Sequence, residues 1–316
     1  MGILFCIIVT YNGEKYIDKC LKSLESSSYP LNIIVIDNNS QDNTVDIIDG
    51  NYPNVELLSL ETNVGFGMAN NIGIQLAYNR GADYFFLLNQ DVFVQVTSLF
   101  DLISISKNHP NYGILSPIHL NGKGDQFDYL FSIMALTPIS LKLFTDLHLN
   151  QELKDVYNSN FVNAAAWLLT KSCIEQIGGF DPLFYHYGED EDYANRVLFK
   201  KIPIGICPSV HINHDRVVGN KLSQYSISYQ RKLRLLIRLK NPFHQYSKTL
   251  KSIITSLIWE IIRKLFSGQI KSVIIPFNIL KYLLVNSKKI KYQRKRCISE
   301  TYAFLKEEIV EEIPII

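Results

Sequence analysis

Long apolar runs are missing from this 316-residue chain: no uninterrupted stretch reaches the roughly 18 residues of a membrane-spanning helix. The opening MGILFCIIV is apolar, but it is shorter than a secretory signal needs and has no basic start, so a buried strand is expected there. Cysteine is sparse. The five residues Cys6, Cys20, Cys173, Cys207 and Cys297 are odd in number and form no C-x-x-C. That excludes a disulfide scaffold and a zinc clip, and points to structural thiols in a reducing compartment. Repeats and low-complexity tracts are absent, and 47% hydrophobic with 20% charged residues excludes wholesale disorder. Acidic residues are nearly missing from one region: between 221 and 299 Glu260 stands alone against 18 Lys and Arg.

That last absence divides the chain. Residues 1–220 hold 13 Lys+Arg and 24 Asp+Glu, a net of −11, whereas 221–316 hold 19 Lys+Arg and 6 Glu, a net of +13. The overall +2 therefore conceals two regions suited to different partners. With about 150 residues per domain as a guide, we expect an α/β domain over 1–220 and a basic amphipathic helical region over 221–316.

Within the first region, continuous apolar segments alternate with helical periodicity. Ile3–Val9, Ile33–Ile36, Val55–Leu60 and Tyr84–Leu88 read as strands buried on both faces. Between them, Glu14–Ser26, Thr44–Asp49 and Gly67–Asn79 read as helices, the first with Ile17, Cys20, Leu21 and Leu24 at i, i+3, i+4 and i+7. The alternation predicts right-handed βαβ units on a mainly parallel sheet. Further on, Val96–Asn108, Lys171–Ile177 and Tyr193–Lys200 read as helices and Gly113–Leu120 and Ile204–Val210 as strands, while 126–154 shows no clear period.

Sheets of this kind bind ligands at the carboxyl ends of their strands. Three of those ends are polar clusters: Thr10-Tyr11-Asn12, Asp37-Asn38-Asn39 and Asn89-Gln90-Asp91. Each alone fits a turn, but three at equivalent positions point to a site. A carboxylate such as Asp91 can hold a hard divalent cation that bridges diphosphate oxygens. Asn63-Val64-Gly65-Phe66-Gly67 imitates a dinucleotide fingerprint, but Asn70 replaces the third glycine and the segment follows the third strand. A close backbone approach to a nucleotide or sugar survives that objection. Glu189-Asp190-Glu191-Asp192, beside Tyr185 and His186, places four carboxylates in a row. Their repulsion raises the pKa of at least one, which suits a general base; the structural alternative is an acidic helix N-terminus. His211 and His214 follow the next strand, and either imidazole could ligate a metal.

Taken together, Val9-Thr10-Tyr11-Asn12, Asp37-Asn38-Asn39-Ser40, Asn63-x-Gly65-Phe66, Asn89-x-Asp91 and Gly179-Phe180-Asp181…Glu189-Asp190-x-Asp192 resemble the family 2 glycosyltransferases of GT-A fold. The nearest flavour is the bacterial rhamnosyltransferase-like branch that builds cell-surface polysaccharides. The resemblance covers about residues 3–216. It implies inverting transfer of a sugar from a UDP- or dTDP-sugar, rhamnose among them, to a hydroxyl of a lipid-linked or oligosaccharide acceptor. Thr10, Tyr11 and Asn12 would lie beside the nucleobase, and Asp37 would accept the N3–H of uracil or thymine. Asn39, Asn63, Gly65, Phe66, Asn70, Asn89 and Gln90 would complete the donor site. Asp91 and His214 would hold Mn²⁺ or Mg²⁺, with His211 the second choice. Asp190 would be the base, with Glu189, Asp192 and Trp167 on the acceptor side. The chain departs from the family at Asn89, where many members carry the first Asp, and a neutral amide lowers the expected metal affinity.

Two other classes fit less well. A sugar-phosphate nucleotidyltransferase needs a Gly-rich phosphate loop with a basic residue after the first strand, and Thr10-Tyr11-Asn12-Gly13-Glu14 has neither. A non-catalytic membrane-associated module has no need to keep Asp190. In the basic region, helical patterns run over 228–239, 248–266 and 270–285, broken at Pro242 and Gly268, with a kink expected at Pro276. A net of 18 − 1 = +17 over 221–299, interleaved with Leu, Ile, Phe and Trp259, matches interfacial binding to an anionic membrane. Packing on the acidic domain, or on a second copy as a homodimer, is the alternative. No nucleic-acid motif is present, so no nucleic-acid partner is expected. The expected location is cytoplasmic, peripheral on the inner face of the cell membrane.

Overall fold

Parallel pairing of the first four strands sets the frame. In the computed structural model, which describes residues 2–216 and 224–305, β1 (Leu4–Thr10), β2 (Asn32–Asp37), β3 (Glu56–Ser59) and β4 (Tyr84–Asn89) lie in the order β3-β2-β1-β4. Every residue of β1 is buried, as befits a strand covered on both faces. Alternate side chains sort into two layers. Leu4, Cys6 and Ile8 pack with α1 (Ile17–Glu25), α2 (Thr44–Asn51) and α4 (Ser98–Asn108), while Phe5, Ile7 and Val9 pack with α3 (Phe66–Asn79), α7 (Lys171–Ile177) and α8 (Glu189–Phe199).

The sheet continues through β8 (Ala166–Thr170), β6 (Ile114–Asn121) and β9 (Ile204–His214) to β5 (Val92–Val94), and β7 (Tyr157–Ser159) also pairs with β9. The β1–β2, β2–β3, β1–β4 and β6–β9 ladders are parallel. The β4–β8, β6–β8, β5–β9 and β7–β9 ladders are antiparallel. The sheet is therefore an open mixed one: the parallel pairing expected from the sequence holds across β3-β2-β1-β4 and between β6 and β9, and antiparallel strands extend it. The unreadable segment holds two short helices, α5 (Tyr129–Ala135) and α6 (Leu141–His148), over a satellite core that includes Phe131, Leu143, Val162 and Ile206.

The described chain forms two compact units, 2–216 with 301–305, and 224–300. The basic region thus ends earlier than 316. Tyr302 shares a hydroxyl hydrogen bond with Tyr78, and Gly179 N donates to Ala303 O at 2.8 Å, so 301–305 belong to the sheet-bearing unit. Residues 217–223 and 306–316 of the expected regions lie outside the described residues. The second unit comprises α9 (Gln224–Lys240), α10 (Tyr246–Phe266), a 3₁₀ turn over Ile270–Val273 and α11 (Ile274–Ser299). Pro276 falls in the first turn of α11, where its missing N–H has no intrahelical partner to lose, so the expected mid-helix kink has no basis. No described helix is long and apolar enough to cross a membrane, and all five cysteines are buried thiols outside any disulfide.

One buried side chain ties α3 to the segment leading into α8. Asn71 accepts from Phe180 N (2.7 Å) and donates to Phe180 O (2.9 Å), and is itself fully buried. Asn71→Ala strands both backbone groups and should cost about 1–3 kcal/mol. For a chain of this size that lowers the melting temperature by about 2–4 °C per kcal/mol. An unchanged thermal melt would show that the bridge is dispensable.

Candidate active site

Register brings the three polar strand ends to one edge of the sheet. Thr10 lies opposite Asp37, and Val9 opposite Asn89. Gln90 links two of the ends: its Oε1 accepts from the Thr10 hydroxyl (2.5 Å) and Tyr11 N (3.0 Å). Asp37, nearly fully buried, accepts from Ser40 N (3.0 Å) and the Ser40 hydroxyl (2.5 Å). Asn12 and Asn39 adopt left-handed backbone at φ 48° and 69°, tolerable for asparagine, and Asn12 Oδ1 accepts from Gln41 N (2.8 Å). Tyr11 stands exposed above this floor, its ring free to stack. Asn63 Oδ1 accepts from Asn38 (3.0 Å), Gly65 N (3.0 Å) and the Tyr185 hydroxyl (3.0 Å). Gly65 has φ 88°, and the Tyr185 carbonyl occupies the space a Cβ would need, so only glycine fits.

Asp91 and His214 meet through backbone pairing. Val92 lies opposite His214 in the β5–β9 ladder, and Asp215 N donates to Asp91 O at 2.9 Å. Asp91 Oδ1 comes within 3.3 Å of His214 Nε2. Burial pushes the Asp91 carboxyl up, but His214 and the Arg216 charge more than offset it and hold it below the ordinary carboxylate range. Arg216 lies 3.1 Å from His214 Nδ1 and 3.1 Å from Asp128 Oδ2. Asn89 Oδ1 is buried with no hydrogen-bond partner. His211, three residues before His214 on a period-two strand, falls on the opposite face.

The acidic cluster opens α8, after two left-handed residues, Tyr187 (φ 67°) and Gly188 (φ 87°). Its four carboxylates have separate fates. Glu189 is buried, its Oε2 unpartnered, and desolvation together with the Asp190 charge raises its pKa well above the ordinary range. Asp190 is half-buried. Desolvation raises its pKa too, against backbone donation from Glu191 N (2.8 Å) and Ala164 N (3.5 Å) and the charge of Arg216. Glu191 is exposed. Asp192 pairs with Arg196 at 2.9 Å, both buried, and Arg196 donates onward to Ile177 O and Gly179 O. The neighbouring Asn89 N donates to Ala165 O at 3.0 Å, so the 164–165 segment bridges the end of β4 to Asp190.

Several expected roles change with this geometry. Asp192 is an internal strut and offers nothing to an acceptor. Trp167 is fully buried between Phe180 and Tyr193, its Nε1 donating to Val162 O (3.1 Å), and is likewise a core residue. Asn70 is buried and donates to Phe66 O (3.0 Å) within α3, so it supports the Gly65-Phe66 turn instead of facing a donor. Thr10, Asn12 and Gln90 brace the cradle with their side chains. Sequence reasoning missed Arg216, Asp128 and His119. Arg216 follows His214 by two residues and was discoverable as the cation closing that strand. Asp128 caps α5 through Phe131 N (2.9 Å) in the segment without a period. His119, fully buried, hydrogen-bonds Ser116, and burial with the His214 and Arg216 charges drives its pKa well down.

The open mixed sheet, with its polar strand ends gathered at one edge, fits the GT-A architecture of glycosyltransferases. The model of glycosyl transferase family 2 matches residues 5–177, more than half of the chain, and the protein belongs to that family. It is 25% identical over 215 residues to N-acetylglucosaminyl-diphospho-decaprenol L-rhamnosyltransferase of Mycobacterium tuberculosis, covering 62% of this chain and 70% of that one. It is 24% identical over 246 residues to dTDP-rhamnosyl transferase RfbF of Shigella flexneri, covering 76% and 78%. Its fold resembles the crystal structure of Staphylococcus aureus TarS 1-349 in complex with UDP, with a TM-score of 0.53 at 18% identity over 78% of this chain and 68% of that one.

The strain at Glu189 is measurable. A carboxyl whose pKa is raised by folding costs nothing while protonated in both states, and destabilises once pH exceeds its unfolded pKa, increasingly up to its folded one. Glu189→Gln should therefore leave the melting temperature nearly unchanged near pH 4 and raise stability by about 1–3 kcal/mol near pH 8. Equal gains at both pH values, or a loss near pH 8, would show that the carboxylate is adequately solvated.

Proposed function

We propose that this glycosyltransferase performs an inverting single displacement, moving a sugar from a UDP- or dTDP-sugar to a hydroxyl of a lipid-linked or oligosaccharide acceptor in surface-polysaccharide synthesis. The observation that carries this is the placement of Asp190: a carboxylate of raised proton affinity, bridged by Ala164–Ala165 to the strand end that bears Asn89-Gln90-Asp91. Asp190 takes the acceptor proton, the acceptor oxygen bonds to the anomeric carbon, and the bond to the nucleoside diphosphate breaks with its electrons leaving on the diphosphate. Attack from the face opposite the leaving group inverts the configuration. Asp37 and Tyr11 receive the nucleobase, and Asn39, Asn63, Gly65 and Phe66 surround the sugar-nucleotide. The names of the rhamnosyltransferase relatives support dTDP-rhamnose as the first donor to test and a diphosphate-linked lipid glycan as the acceptor.

The residues present fit a divalent cation. Asp91 and His214 put an oxygen and a nitrogen donor side by side, and an imidazole favours Mn²⁺ over Mg²⁺. When bound, the ion withdraws charge from the leaving diphosphate. Arg216 contributes fixed positive charge at the same place. The basic helical unit supports a location peripheral to an anionic membrane, on the cytoplasmic side where nucleotide sugars are made; a homodimer through its helices is the competing use.

Two measurements test this reading. Asp190→Asn should lower transfer about 10²–10⁴-fold while nucleotide-sugar binding stays near wild type, since the base acts only on the acceptor. In the wild type the acidic limb of the rate profile should lie above the ordinary aspartate range, with activity falling as pH drops through the raised pKa. Transfer by Asp190→Asn at the wild-type rate would remove Asp190 as the base. Separately, chelation should reduce activity and Mn²⁺ restore it, and Asp91→Ala should abolish the restoration. Full activity after exhaustive chelation would show that Arg216 and its neighbours suffice.

A further inference from the structure

In the helical unit the most exposed apolar side chain stands where α10 turns into α11. Every residue from Leu265 to Ser272 is exposed; Phe266 reaches 89% and Ile270 70%, and Ile274 follows at 61%. Gly268 makes the turn at φ 70°, and nothing lies within 4 Å of where its Cβ would be. Trp259, 66% exposed, precedes Phe266 by seven residues and so continues the same apolar face down α10. A contiguous exposed apolar patch of this kind marks an interaction surface.

The charge around the patch identifies the partner. Arg263, Lys264 and Lys271 flank the turn, and Glu260, the sole acidic residue from 221 to 299, is neutralised. Arg231 and Lys264 both pair with it, and the Arg231 hydrogen bond leads in lowering its pKa to about 2. A second copy would bring another +17 against the first, which opposes pairing through this surface. An anionic lipid surface complements the cations while its acyl region accepts the aromatic and aliphatic tip. Because no described helix can span a bilayer, the geometry is that of an interfacial wedge.

We propose that the α10–α11 turn is a membrane wedge, with Phe266, Ile270 and Ile274 entering the acyl boundary of an anionic leaflet and Arg263 and Lys271 holding its headgroups. This rests on the peripheral-membrane location given above and names the element that inserts. Trp259 reports on it directly, since the other tryptophan, Trp167, is fully buried and supplies a constant background. The full chain is mixed with phosphatidylglycerol/phosphatidylcholine vesicles and with phosphatidylcholine alone, some carrying brominated acyl chains. The expected result is a blue shift and bromine quenching of Trp259 on the anionic vesicles only, with at least tenfold weaker partitioning for F266S/I270S. Ile274→Ser serves as a second, independent variant, and thermal melts confirm that both fold. Failure of the wild type to bind anionic vesicles overturns the peripheral location and the wedge together. Binding of wild type and variants with equal affinity and equal quenching overturns the wedge alone, leaving surface charge as the attachment. A wild-type dimer in lipid-free solution that F266S/I270S converts to monomer assigns the turn to a second copy and overturns the wedge.

Discussion

Backbone pairing between β5 and β9 is the constraint on which the site depends. Asp91 stands one residue before β5, and Asp215 N reaches its carbonyl as soon as Val92 is in register with His214. The carboxylate and the imidazole are then neighbours because their strands are, with no side-chain attraction needed to collect them. A second ladder does the same for Asp190. β8 runs antiparallel to β4, so the segment preceding it passes Asn89 and presents Ala164 N to Asp190. Groups fixed in this way are oriented before any ligand arrives, which is where most electrostatic catalysis originates.

Position within a single helical turn then decides what each acid does. Asp192 points into the layer beneath α8 and meets Arg196, whose guanidinium also satisfies two carbonyls, so its charge is fully compensated. Glu189 points toward Gly67 and Phe180, where nothing neutralises it. Asp190 lies between these extremes, desolvated but held by two backbone donors. Environment alone thus separates carboxyls of one helical turn: Asp192 is locked in an internal ion pair, while Asp190 keeps a raised proton affinity together with partial access to solvent and two backbone donors.

This differentiation marks the limit of what sequence periodicity conveys. β1, β2, β4, α3 and α7 were legible because buried parallel strands and amphipathic helices have strong periods, and the strand-end rule located Asp37 and Asn89-Gln90-Asp91 without any coordinates. β5 and β7 have three residues each and no period at all, and it is β5 that delivers Asp91 to His214. Trp167 and Asp192 look functional beside their neighbours, but whether a side chain faces a ligand or the core depends on layers contributed from distant parts of the chain. Arg216 and Asp128 meet across 88 positions of sequence (216 − 128), a contact that spacing does not encode.

The neutral Asn89 acquires a meaning once Arg216 is placed. Asp91 and Asp128 bring carboxylates to this corner, and His214 and Arg216 stand between them. An aspartate at position 89 would add another buried charge, and its desolvation would have to be recovered from the same cation. The amide avoids that cost while keeping an oxygen aimed inward, unpartnered in the protein itself. Positive charge at this corner is instead fixed on Arg216, carried by the same strand end as His214.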